Sequence, residues 1–153
     1  MSRDRSPKRS DSRANRSERV RHRASSAKQK PTVKRPDNPN PTARILAHDV
    51  ASLLLDKKAV DVLILDVRDK ASYADYFVIA SGDSERQVSA MAEYVEEKLR
   101  ERQVRPLGVE GQESGSWVLL DFGEVVTHLF CVDTRAFYDL EGLWADVPRE
   151  KVA

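Results

Sequence analysis

The chain has 153 residues, one cysteine and almost balanced charge, 26 Lys/Arg against 25 Asp/Glu, which leaves room for one modest domain and an appendage. Cys131 alone excludes an intramolecular disulfide and fits a reducing compartment. No apolar run approaches the roughly 20 residues that span a bilayer, and the amino terminus lacks the apolar centre of a secretory signal.

The balance conceals a division near Pro41. Residues 1–41 hold 13 basic against 4 acidic groups, a net of +9, while residues 42–153 hold 13 against 21, a net of −8. Almost nothing in residues 1–30 is apolar, so burial there cannot offset the entropy of ordering. Pro31, Pro36, Pro39 and Pro41 then favour extended chain. Residues 1–41 are therefore expected to be a disordered Arg/Ser/Pro-rich tail and linker. Two readings of it stand: a solvated extension, or a loose, salt-sensitive attachment to nucleic acid, since arginine neutralises phosphate without reading sequence. No aromatic residue is interleaved for base stacking, which argues against a specific single-strand binder. The Arg/Ser bias also raises organellar import, but Asp4, Asp11 and Glu18 interrupt the basic run. The expected location is the cytoplasm, with no membrane contact.

The folded part is expected over residues 42–147, starting at Thr42 as a helix cap. Leu46, Val50, Leu53 and Leu54 make a stripe at helical spacing. Asp61 to Val67 is nearly all apolar and predicts a strand covered on both faces; Asp75 to Ser81 predicts a second. Gly82 and Asp83 turn the chain, and Ser84-Glu-Arg-Gln87 spells a capping box. The helix beyond it carries Val88, Met91, Ala92, Val95 and Leu99 on one face. Pro106 to Val109 suits only a short edge strand. A hairpin over Ser116 to Val132 follows, then a last helix capped by Asp133 that buries Phe137, Leu140 and Trp144. Residues 148–153 read as a short tail. The order α-β-β-α-β-β-β-α predicts an α+β domain with a mixed five-stranded sheet and flanking helices.

The hairpin has the least ordinary patterning. A two-residue turn at Phe122-Gly123 would set Asp121 against Glu124, Leu119 against Val126 and Trp117 against His128. Alternation then puts Trp117, Leu119, Asp121, Glu124, Val126, His128 and Phe130 on one face, and Val118, Leu120, Val125, Leu129 and Cys131 on the other. The second set is a plain core face. The first mixes bulk with two acids and a histidine, and reads as a docking surface that could also pair with its own copy in a homodimer.

Several fragments invite catalytic readings. Asp121-Phe122-Gly123 spells a kinase magnesium motif, but the chain lacks every other kinase element. His128 and Cys131, three apart on a strand, point to opposite faces and make no nucleophile–base pair. His22, His48 and His128 lie far apart, so neither a metal site nor a cofactor is expected. The Ser81-Gly82-Asp83-Ser84 turn resembles the phosphate-facing turn of nucleotidyltransferases. Such enzymes need a carboxylate pair for metal ions, and only Asp121 and Glu124, split by a turn, are on offer. A nucleotidyltransferase-like enzyme and a tail-driven RNA-binding protein are the alternatives to a docking module.

Leu65-Asp66-Val67, Asp75 to Gly82, Pro106 to Gly111, Trp117 to His128, Arg135 to Tyr138 and Leu140 to Trp144, in that order, resemble the ribosomal silencing factor (RsfS, Iojap-like) family. The resemblance spans roughly residues 43–146 and omits the basic tail. It implies a nucleotidyltransferase-like fold without the catalytic carboxylates, and hence no enzyme. It also implies binding to the large ribosomal subunit through large-subunit ribosomal protein number fourteen, which blocks joining of the small subunit and represses translation in starved cells. A dimer of the free protein fits the same resemblance. Trp117, Leu119, Asp121, Glu124, His128, Tyr138 and Glu141 are the expected partner-binding residues.

Overall fold

A computed structural model describes residues 41–153; the basic tail, up to residue 40, lies outside the described residues. Helix α1 (Pro41–Asp56) leads into strands β1 (Val60–Asp66) and β2 (Tyr76–Gly82). Helix α2 (Glu85–Arg100) is followed by β3 (Gly108–Glu110), β4 (Trp117–Asp121) and β5 (Val125–Cys131). Two short helices, α3 (Val132–Tyr138) and α4 (Leu140–Leu143), precede β6 (Arg149–Lys151). The strands form one mixed sheet in the order β3-β4-β5-β2-β1-β6, in which only β2 and β5 run parallel. The segment expected as a tail is thus a sixth strand, Leu63 pairing with Lys151 and Leu65 with Arg149.

The two long helices follow their sequence signals. Pro41 is already helical, with the fixed φ that suits a first turn, so Thr42 sits inside α1 rather than at its cap. Ser84 is extended, and its Oγ accepts from the Gln87 N–H at 3.0 Å. The Gln87 Oε1 reaches one residue further back than a capping box predicts and accepts from the Asp83 N–H at 2.7 Å. The predicted face of α2 is the buried one. At Gly82 a Cβ would lie 2.9 Å from Val88 Cγ2, so the strand-to-helix turn depends on that missing atom.

The hairpin turn falls one residue later than predicted. Asp121 pairs with Val126, Leu119 with His128 and Trp117 with Phe130, around Gly123 at φ +92°. Moving each partner along by two residues leaves every side chain on its predicted face. Val118, Leu120, Val125 and Leu129 pack under α1 and α2 with Val50, Leu54, Met91 and Leu99. The other face is also core. Trp117, Leu119, Val126 and Phe130 join Phe77 and Ile79, covered by Val67, Ala71, Leu140 and Trp144.

That cover comes from a helix that does not run on as predicted. Asp139, at φ +47°, ends α3 and starts α4. Leu140 and Trp144 turn inward as expected, but Phe137 is 80% exposed. Arg135 is the buried residue of α3, and at 100° per residue Phe137 lies roughly 200° round from it. Asp133 caps nothing: α3 already includes Val132, and its N-cap position is Cys131 with no side-chain bond.

Candidate functional site

The first turns of α3 and the loop before β4 enclose an open cleft of about 450 Å³, lined by Ser114, Ser116, Trp117, Asp133, Thr134, Phe137 and Tyr138, with Gly111 at its edge. The loop is fixed from several sides. Gly115 has φ +80°, and a Cβ there would strike the Glu85 carbonyl at the start of α2. The Cys131 N–H donates to the Ser116 carbonyl at 3.0 Å. Trp117 forms the cleft floor, its ring 4.7 Å from Tyr138 and 4.8 Å from Phe130. Its indole N–H donates to His128 Nδ1 at 3.1 Å, which makes Nδ1 the unprotonated ring nitrogen. Phe137 stands edge-on to Tyr138 at 5.1 Å, and both rings are exposed.

Arg135 fixes the orientation of α3. Its Nε donates to Glu141 Oε2 at 2.8 Å, and its Nη1 donates to the Asp61 carbonyl and to Ser81 Oγ, each at 2.8 Å. One guanidinium therefore ties α3 to α4, to the positive-φ residue Asp61 of β1 and to the end of β2. It pairs with Glu141, not with Asp139 as helical spacing suggests. It also takes up Ser81 of the turn that resembles a phosphate site.

The seven expected site residues do not form one surface. Trp117, Tyr138 and the missed Phe137 come together at the cleft. Leu119, Asp121 and His128 are fully buried, so reading that hairpin face as an exposed docking surface, or as a self-pairing surface, is corrected by its cover of α4 and the segment after β1. Asp121 Oδ1 accepts from the Gly123 N–H at 2.8 Å, a turn-forming role. Glu124 is exposed at the hairpin tip, roughly 20 Å from α3 along β5. Glu141 is half-buried and held by Arg135. Sequence reasoning missed Phe137 and Arg135. The sequence carries no local signal for Phe137, because an inward Phe137 beside an outward Tyr138 is what one continuous helix predicts.

The chemistry of the site suits recognition. His128 faces Phe77 and Trp117, whereas Cys131 packs toward the opposite core. Burial, then the nearby Glu85 and Asp133 charges, push the Cys131 thiol up, away from the reactive thiolate. No group of three or more His, Cys, Asp or Glu converges as metal ligands among the described residues. Nor is any helix among them long and apolar enough to cross a membrane.

Residues 40–153 match the family model described as "Ribosomal silencing factor during starvation". The ribosomal silencing factor RsfS of Bacillus subtilis is 42% identical over 93 residues, covering 61% of this chain and 79% of that protein. The mouse protein named mitochondrial assembly of ribosomal large subunit protein 1 is 37% identical over 98 residues, 62% of this chain and 43% of that protein. A crystal structure of a Chromobacterium violaceum protein superposes with a TM-score of 0.66 at 37% identity, covering 72% of this chain and 92% of that one. The family match takes in α1 through β6, cleft and Arg135 tether included, and the chain belongs to the ribosomal silencing factor (RsfS) family, whose members are named for ribosome-associated control of translation.

Proposed function

We propose that this protein is a stoichiometric, non-enzymatic repressor of translation, acting in the cytoplasm under nutrient limitation. It binds the large ribosomal subunit through large-subunit ribosomal protein number fourteen and blocks the small subunit sterically. The observation that carries this reading is the solvent-facing Phe137–Tyr138 pair beside Trp117, on a helix tethered by a buried guanidinium. Aromatic side chains dominate binding hot spots, and a patch this apolar on the surface of a small domain marks an interaction site. The domain's net −8 attracts a basic ribosomal protein and disfavours acidic partners. The mouse relative, named for the large ribosomal subunit, supports that choice of subunit. A rigid body of this kind needs no conformational change, since occupying the joining face is enough.

Co-sedimentation of the full chain with purified large subunits tests the reading. Replacing Phe137 and Tyr138 together with Asp should weaken binding at least tenfold, on the order of 1.4 kcal/mol, with circular dichroism showing the fold retained. Unchanged binding would remove this patch from the interface.

A further inference from the structure

The cleft at the rim of α3 sets polar groups beside rings in a regular way. Asp133 and Phe137 stand four residues apart on α3, as do Thr134 and Tyr138, and all four line the cleft. One turn of helix therefore places a carboxylate next to one ring and a hydroxyl next to the other. Both rings are exposed, and that of Tyr138 meets Trp117 of the cleft floor at 51°. Among the described residues that line the cleft, Asp133 alone carries charge. It is exposed and makes no ion pair with another described residue, whereas Asp49 and Asp146 are matched by Arg102 and Lys70. Glu85, close enough to act with Asp133 on the Cys131 thiol, deepens the negative field at the inner end of the cleft.

We infer that this cleft receives an arginine side chain of a basic protein partner, its guanidinium lying against Phe137 and Tyr138 with Asp133 as counter-ion. The inference rests on the reading that the α3 patch meets a partner, and names the group it meets. Ring faces turn the negative part of their quadrupole toward a cation. A guanidinium is planar and weakly hydrated, so it stacks on a ring while presenting paired N–H donors to a carboxylate. A lysine ammonium is compact and strongly hydrated, and it offers no flat face to the rings. An apolar side chain would fill the cleft but desolvate Asp133 without compensation, and an anion would be repelled by it.

The experiment titrates the isotope-labelled full chain with acetyl-Gly-Arg-Gly-amide and follows backbone amide shifts by NMR. The amides of Ser114, Asp133, Thr134 and Tyr138 should shift saturably. Citrulline in place of the peptide's arginine keeps the shape and loses the charge, and should weaken binding about tenfold. Lysine in its place should also bind more weakly than arginine. Asp133→Asn should weaken the arginine peptide about fivefold, whereas Glu97→Gln, the same charge change on an exposed position of α2, should leave it unchanged. Citrulline or lysine binding as well as arginine, or equal effects of the two protein variants, would overturn the inference. Co-sedimentation with large subunits separates it from the reading beneath it. Asp133→Asn should weaken subunit binding about fivefold; binding that ignores this change would overturn the arginine pocket and leave the ribosomal reading standing. No subunit binding by the wild type, with the peptide shifts as expected, would uphold the pocket and overturn the ribosomal reading.

Discussion

The two faces of the sheet are buried by different means. Under α1 and α2 the cover is two 16-residue helices, and the interior is almost wholly Ala, Val, Leu, Ile and Met. On the other face the cover is α3, α4 and the segment around Val67–Ala74, and the interior holds Phe77, Trp117, Phe130 and Trp144 together with buried His128 and Asp121. Long helices supply many aliphatic groups at a regular spacing. Short, broken cover supplies few, so large rings fill the space, and polar side chains fix what packing alone leaves loose. The candidate interface sits at the rim of this second face, where Trp117 passes from core to cleft.

Truncation should separate the faces. Phe130→Ala, in the aromatic core, should lower the unfolding free energy by about 4 kcal/mol, and Leu99→Ala, in the aliphatic core, by about 3 kcal/mol, both read by chemical denaturation. Equal tolerance of the Phe130 change would mean that the second face collapses freely. Next in size is the Arg135 tether. Arg135→Gln strands a partly buried Glu141 carboxylate and should cost about 3 kcal/mol; the double variant with Glu141→Gln should recover part of it, and a purely additive loss would deny the pairing. On the other face, Ser84→Ala should cost about 1 kcal/mol through the lost α2 cap, visible as a lower Tm.

The smallest effect concerns pH. Burial alone would raise the Asp66 carboxyl, but the Arg68 side-chain and backbone bonds outweigh it and hold Asp66 below its ordinary value. A depressed carboxyl contributes stability that is present above the unfolded-state value, roughly 3.9, and is lost as pH falls through the lower folded value. Asp66→Asn should therefore flatten the acid limb of stability below about pH 4 and leave its neutral shape unchanged. An acid limb identical to wild type would remove the pair from the balance.

Legibility in the sequence divides along the same line. The α2 stripe, the Ser84 cap and the apolar runs of β1 and β2 were readable because periodicity and turn chemistry are local. The faces of β4 and β5 were readable too, since a turn misplaced by one residue moves each partner by two and preserves parity. What hid was the cover. Nothing around Asp139 announces a left-handed residue, so the residue pattern predicts one helix where two short ones stand, puts Phe137 inside, and leaves the face holding Leu119, Asp121 and His128 open to solvent. Strand β6 hid for another reason: Arg149-Glu-Lys is polar throughout, because an edge strand with three exposed residues needs no apolar alternation.

Light scattering of subunit joining, with purified full chain titrated into large subunits before small subunits are added, tests the central claim most directly. The account predicts a dose-dependent loss of joined ribosomes that is complete near one protein per large subunit, with Phe137 and Tyr138 both changed to Asp shifting the curve to at least tenfold higher protein. Full joining at saturating protein would contradict it.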